Sequence, residues 1–538
     1  MRFFAAAFAA AALLASCVKE SGDKPEVGPG GVAEGLPTYA SFNFKFDEPT
    51  KVALNSDALE ASTVAVNDIR LLVFKNTSAS TVCEVNELVT APTANSTRGV
   101  QLTSGLKKIF VVVNGAAAGS VINGKLTGIT PNTTTLNDFY NTISKLDVGV
   151  GDTSPATDTY SVSDLLVTSG MILTSAIDAS STHTLDPGIS QVEAEAGGNN
   201  NITLKVKRAL AKAKVVYDNA LVDGSNIITA DNLGVLNGLQ YSLRNVRRST
   251  YLFQQFLGGA ESTGTGVLSP SYGTIATPTY AAFFPFFYSQ AVQPASATPN
   301  GVVFDYANML NDATDKTNPG PSYYLTENTN GSYMWGNASM APVKAVYLPK
   351  AGGYVSSATY NPTQVKFTAL TAGSTPITAA TTLYRLKSVA PVNPAEVISD
   401  FLGLSTKSVF TDQNLAYQTA FSIAYPTKKY DVPTDATAYA TFISAAGNSG
   451  DYIDTYTGGV CYYQLFLGAG DNTVIPSTFQ YGVTRNNIYR AVIKKFSGIG
   501  SSTEDGGTDP KTPLEEKTYV DVVIDIDPWL VLDSNINL

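Results

Sequence analysis

Few side chains in this sequence of 538 residues are placed to do chemistry, and the clearest is a thiol. Arg2 precedes an apolar run over 3–14 that ends in Leu14-Ala15-Ser16-Cys17. The run is too short to cross a bilayer as a helix. Its form is that of a lipoprotein signal peptide, whose peptidase needs small residues beside the bond and a cysteine already acylated. Cys17 is therefore the expected lipid-bearing N-terminus, and that lipid the precursor's membrane attachment. His183 is the single histidine, in the Ser/Thr-rich stretch SSTHTL, and reads as a surface-loop residue. One imidazole cannot make a multi-histidine metal site. A Ser-His-Asp hydrolase would have to use the same residue, and no GxSxG elbow accompanies a serine. Asp521, Asp525 and Asp527 lack the glycine-containing loop of an EF-hand and read as the solvated face of a strand. No pair among the many carboxylates is singled out for glycoside hydrolysis. No catalytic residue, metal or cofactor is expected. Lys51 follows Pro49 in a polar loop open to a trypsin-like protease, although taken alone it is an ordinary surface lysine.

The elements that would position these residues are strands. Residues 39–47 (YASFNFKFD) alternate, with Ala40, Phe42, Phe44 and Phe46 on one face and Ser41, Asn43, Lys45 and Asp47 on the other. Near the far end, 517–529 (KTYVDVVIDIDPW) puts Val520, Val522, Ile524 and Ile526 opposite a mostly acidic row, with Trp529 just beyond. Before it, 498–516 (GIGSSTEDGGTDPKTPLEE) has little to bury and reads as a loose linker. The bland reading of the last strand is that it folds back onto its own domain. Between the ends, short strand-like runs recur at 69–75, 97–115, 164–174, 201–217, 239–251, 345–349, 364–369, 460–467 and 488–494. The best helix candidate is 133–146, with Leu136, Phe139 and Ile143 at helical spacing. Strands at this spacing with little helix indicate β-sandwiches. The dense aromatic cluster at 281–288 (AAFFPFFY) reads as core or interdomain wedge in preference to a glycan platform.

Composition bounds the class. With 10% aromatic and 15% charged residues the chain can bury large cores. Cys83 and Cys461 are expected in different domains, so a disulfide framework is not expected. A net charge of -10 argues against nucleic acid or an anionic membrane surface as the main partner. No second apolar run reaches membrane-spanning length.

At Arg485-Asn486-Asn487-Ile488-Tyr489, followed by a strand, a Gly/Pro/acidic linker and VDVVIDIDPW, the chain resembles the major-subunit fimbrillins of Bacteroidales, the building blocks of type V pili. It resembles most the short-fimbria (Mfa-type) branch. The lipobox at Cys17, the stretch 206–215 (VKRALAKAKV) and the stretch 242–251 (SLRNVRRSTY) agree, and Lys19-Glu20 resembles the surface-export signal of Bacteroidetes lipoproteins. The resemblance implies an all-β chain with minor helix: two transthyretin-like Greek-key β-sandwich domains in tandem and a C-terminal donor strand. Its parts would be a signal peptide (1–17), a tether and removable first strand (18–51), an N-terminal sandwich (52–208), a C-terminal sandwich (209–497), and a linker with the donor strand (498–538). It implies export as a lipoprotein, cleavage at Lys51–Val52 by a trypsin-like protease, and polymerisation by strand exchange in surface fimbriae that support adhesion and biofilm formation. Partners would be other copies of the chain, tip and anchor subunits, and host or bacterial surface ligands. Family members cut after arginine have no counterpart bond here, because Arg70 lies in an expected strand. Two other readings stand beside this one: a monomeric surface lipoprotein that binds glycan or host protein, and a fimbrial tip or anchor subunit.

Overall fold

The computed structural model describes residues 27–46 (except 29), 66–90, 98–147 (except 144), 165–256 (except 168–169 and 178), 283–284, 306–361 (except 319 and 330–333), 366–387, 409–424, 441, 453–467, 482–528 (except 507–508, 513 and 515–519) and 536–537. They form an all-β protein with short helices. The first half is built on a sheet whose strands run in the order Cys83–Thr90, Asp68–Phe74, Gly105–Val113, Leu173–Thr174, Asn201–Arg208, Pro37–Phe46 and Ile536–Asn537. Asp68–Phe74 is buried at every position, the charged Asp68 and Arg70 included. Ile69, Leu71 and Val73 point into one core with Ala40, Phe42 and Phe44. Leu72 and Phe74 point into a second core with Phe110, Phe139 and Phe253. In that second core Phe110 stacks on Phe139 with ring centroids 4.7 Å apart.

The helix expected over 133–146 is shorter and irregular. An α-turn at Leu136–Asp138, capped by Thr135, passes into a π-turn at Phe139–Ile143, and Lys145–Asp147 is already strand. His183 is not in a surface loop. It lies in the strand Thr182–Leu185 against Gly105–Val113, half-buried, and burial pushes its imidazole pKa down, with a hydrogen bond to the Ser180 backbone opposing.

The run 201–217 is two strands that join different sheets, Asn201–Arg208 and Ala211–Tyr217, with Ala209 and Leu210 buried at the corner. Ala211–Tyr217 pairs in parallel with Asn487–Phe496. Facing that sheet is another in which Gly234–Tyr241, Val343–Pro349 and Val460–Tyr463 are consecutive neighbours. Ala213, Val215, Tyr489 and Ala491 meet Leu236, Tyr347, Cys461 and Tyr463 in one core, a sandwich arrangement. A further sheet, formed by Lys366–Ala372, Tyr354–Asn361, Val409–Phe410, Leu383–Leu386 and Ile453–Tyr456, packs with the helix Gln413–Ala424 around its own core of Val355, Leu370, Tyr384, Phe410, Ala416 and Ile453. Of this lobe, the residue pattern marks only the run at 364–369. Cys83 and Cys461 are free and sit in different cores. Among the described residues no helix is long and apolar enough to cross a membrane, and no cluster of three or more His, Cys, Asp or Glu could hold a metal ion.

Candidate functional site: the first strand and the tail strand

The first strand, Pro37–Phe46, changes partners along its length. Residues 37–40 pair antiparallel with Val100–Thr103, and 41–46 pair in parallel with 201–206 of Asn201–Arg208. Ala40, Phe42 and Phe44 are 0%, 0% and 2% exposed. Burial of a large apolar side chain contributes about 1.5–3 kcal/mol, so the two phenylalanines anchor the strand strongly. Phe46 ends the strand at the register position beside Val206.

The opposite row is not uniformly solvated. Tyr39 and Asn43 are half-buried, but Ser41 is 0% exposed, and its Oγ donates to the Ala194 carbonyl oxygen at 2.6 Å. Ala194 belongs to the short helix Gln191–Glu195, held by a Ser190–Glu193 capping box. Thr38, also buried, donates from Oγ1 to the Asp186 carbonyl oxygen at 2.7 Å. Further along, the parallel register sets Lys45 beside Lys205, two like charges on neighbouring strands.

The stretch before the first strand is not a free tether where it is described. Ser104 holds it: the Leu36 N–H donates to Ser104 Oγ at 3.1 Å, the Gly35 N–H to the Ser104 carbonyl at 3.2 Å, and Ser104 Oγ to the Ala33 carbonyl. Cys17, Lys51 and Val52 lie outside the described residues, as does Trp529. Arg70 is buried in Asp68–Phe74, where its guanidinium donates to Asn86 Oδ1 at 2.8 Å.

The tail strand, Val520–Pro528, pairs antiparallel with Asn487–Phe496 at the edge of its own sheet. Val522, Ile524 and Ile526 stand opposite Ile493, Ala491 and Tyr489, all core residues, and Val520 stands opposite Phe496. Val523 stands opposite buried Val492. Beyond it, Ile536 and Asn537 register antiparallel with Phe44 and Asn43, so the chain's last described residues reach the outer edge of its first strand.

The linker corrects the expectation of a loose tether. Ile499 is buried, Ser501 and Tyr462 exchange backbone hydrogen bonds at 2.8 and 2.9 Å, and Tyr463 Oη donates to the Gly498 carbonyl at 2.7 Å. Glu504 accepts from Tyr306 Oη at 2.6 Å and pairs with Arg244 at 2.8 Å. The Trp335 N–H donates to the Thr512 carbonyl at 3.0 Å. Composition suggested slack, yet the small residues serve close approach: a Cβ on Gly500 would stand 2.2 Å from the Tyr462 carbonyl oxygen. The chain is thus pinned as far as Thr512, eight residues before Val520.

The RNNIY stretch has a physical role that spacing did not disclose. Arg485 is fully buried, its Nη2 lies 2.7 Å from Glu327 Oε2, and its Nη1 donates to the Leu252 carbonyl at 2.8 Å. Gln254 Nε2 donates to the other Glu327 oxygen at 2.8 Å. Asn486 adopts φ 62°, a conformation that asparagine tolerates, and its Oδ1 accepts from Arg208 while its N–H reaches the Leu210 carbonyl at 2.9 Å. Tyr489 Oη accepts from the Thr484 N–H at 2.8 Å. The strand that receives the tail is thereby locked to the 208–210 corner. Glu327 could not be found from sequence, because 158 residues separate it from Arg485.

Residues 454–535 match the family model for the major fimbrial subunit protein type IV, Fimbrillin, C-terminal. This C-terminal stretch is fimbrillin-like. The fimbrillin match begins in the strand Ile453–Tyr456 and takes in the RNNIY strand, the pinned linker and the whole tail strand. Among solved structures, a fimbrilin from Porphyromonas gingivalis W83 is 14% identical and covers 93% of this chain and 99% of its own, with a TM-score of 0.40. A proposed cell adhesion protein from Parabacteroides distasonis ATCC 8503 is 12% identical, covering 92% and 100%, with a TM-score of 0.43. The tip fimbrial protein Mfa3 from Porphyromonas gingivalis, with C-terminal truncation, is 11% identical, covering 92% and 100%, with a TM-score of 0.31. No curated protein matches the sequence.

Proposed function

We propose that this fimbrillin-like chain is a shaft subunit of a surface fimbria, exported as a lipoprotein through Cys17, freed by cleavage at Lys51–Val52, and polymerised by donor-strand exchange. The observation that carries this reading is the position of the first strand. Its side chains fill a core, it pairs first with 100–103 and then with 201–206, and its covalent link onward runs through residues 47–65. A cut in that stretch leaves the strand held by non-covalent contacts alone, and its departure opens an apolar groove along which the backbone of 100–103 and then of 201–206 is left unpaired. The filler is the tail strand of another copy, which sits at a sheet edge and follows a pinned linker. In this reading the cut also discards Cys17, so the lipid brings the precursor to the outer membrane and stays behind. Tip and anchor subunits, host or bacterial surface ligands and a trypsin-like protease are the further partners it calls for. Burial of Arg70 supports Lys51 as the cleavage point, since a protease needs an extended, accessible bond.

A second reading has one observation in its favour. The docking of Val520–Pro528 on Asn487–Phe496 of the same chain is what a monomeric surface lipoprotein would require. One pair of experiments separates them. N-terminal sequencing of the mature protein should begin at Val52, and deletion of 519–538 should leave soluble monomers. Fibres that persist without the tail, or a mature form that keeps its lipid, would favour the monomeric or anchor reading.

A further inference from the structure

Val523 is the odd member of its row, an apolar residue between Asp521 and Asp525, and the first strand has one matching oddity. Among the outward residues whose burial is described, Ser41 is the completely enclosed one, beneath Ala194. We infer that the tail strand enters a second copy of the chain running in the same direction as the lost strand, with Val523 in the place of Ser41. This rests on the donor-strand reading above and specifies its register.

Three independent features agree with that alignment. The first is polarity. Ser41 Oγ donates to the Ala194 carbonyl and accepts from Asn201 Nδ2 at 2.8 Å. Moving the guest two residues toward the chain's C-terminus would place Asp521 there, an enclosed carboxylate facing the Ala194 carbonyl with the Asn201 amide as its one neighbouring side-chain donor, and burying a charge with so little compensation is costly. Moving it two residues the other way would put Asp525 there. Only Val523 is neutral and compact.

The second is size. With Val523 at position 41, Val520 and Val522 replace Thr38 and Ala40, while Ile524 and Ile526 replace Phe42 and Phe44. The larger aliphatic side chains therefore meet the larger vacancies. Reversing the strand about the same point puts Ile524 at Ala40 and Val520 at Phe44, overfilling one site and underfilling the other.

The third is charge. The same alignment brings Asp527 to the position of Lys45, beside Lys205 on the neighbouring strand. A like-charged pair present before cleavage becomes an opposite-charged pair after exchange, which favours the guest over the strand it replaces. Reversal would bring Tyr519 there instead.

The register can be read by cross-linking. Val523 also stands opposite buried Val492 in the docked tail, so a substitution at Val523 would disturb both states and is not the test. Fibres formed from the full chain after limited trypsin digestion should carry Lys205→Cys combined in turn with Asp527→Cys, Asp525→Cys or Tyr519→Cys. Directly registered residues on adjacent strands lie within disulfide reach. Oxidation should give a ladder of linked subunits on non-reducing gels for the Asp527→Cys pair, and no more than background for the other two. A ladder from the Asp525→Cys or Tyr519→Cys pair, with fibres still dependent on the tail, overturns this register and leaves donor-strand exchange standing. Fibres that form without residues 519–538 overturn both. Cys83 and Cys461 are buried and do not compete for the oxidant.

Discussion

Replacing Arg485 would leave the Glu327 carboxylate buried with Gln254 and the Arg485 backbone N–H as its remaining donors. Breaking such a pair typically costs about 3–5 kcal/mol, because the orphaned charge cannot be rehydrated. Arg485→Met should therefore lower the urea midpoint steeply, and the double variant Arg485→Met with Glu327→Gln should recover part of the loss. A second residue-scale prediction concerns the free thiols. Burial pushes Cys83 up to about 12 and Cys461 up to about 11, with the Glu84 carboxylate adding to the rise at Cys83. Their folded values lie above the unfolded one, so their contribution is complete below the unfolded thiol pKa of about 8.5. It is lost as pH rises from there through the folded values. Unfolding midpoints should fall between about pH 9 and 11, and a thiol reagent at pH 8 should label neither cysteine until denaturant is added.

At the scale of elements, the alternation of 39–47 and 519–527 was legible because a strand's period of two shows directly in residue order. The same holds for the buried run 69–74. The burial of Ser41 was not, since it depends on Ala194, 153 residues away. Nor was most of the lobe around Tyr384 and Phe410: the run 364–369 shows in residue order, but Leu383–Leu386, Val409–Phe410 and Ile453–Tyr456 are short and brought together from distant stretches. The linker misled for a different reason. Gly, Ser and Thr suit a loose chain, but they equally suit a chain laid flat against a wall, and only the neighbours decide. Gly500 provides the test. In Gly500→Ala the new Cβ meets the Tyr462 carbonyl oxygen at 2.2 Å, so one backbone must move. Amide exchange should accelerate at Tyr462 and Ser501, whose mutual hydrogen bonds depend on that approach, while amides of the strand Pro37–Phe46 should be unaffected.

For the whole molecule, the proposed donor-strand exchange makes the two ends of the chain competitors for related places. In the intact chain the first strand is paired in place and Ile536–Asn537 lines its outer edge, while the tail strand covers Asn487–Phe496. The proposed exchange would have to break the tail's own pairing before it gained the groove of a neighbour, so on that proposal the precursor and the freshly cut subunit should both resist assembly. The pinned linker limits the reach of the released strand. The eight steps from Thr512 to Val520 span at most about 26–29 Å when extended. A donor on so short a lead can serve only a neighbour stacked directly against the sheet it has left. Lengthening should relax this: six Gly/Ser residues inserted after residue 514 should preserve polymerisation and make the fibres less uniform in axial spacing by electron microscopy. A synthetic peptide of residues 519–529, added in excess to cut subunits, carries no such restraint and should occupy the groove and stop growth. A version with Val523→Asp should not, because its carboxylate would enter the closed Ser41 site. Equal inhibition by both peptides would mean that the groove does not distinguish the enclosed position, and that the burial of Ser41 has no counterpart in the assembled fibre.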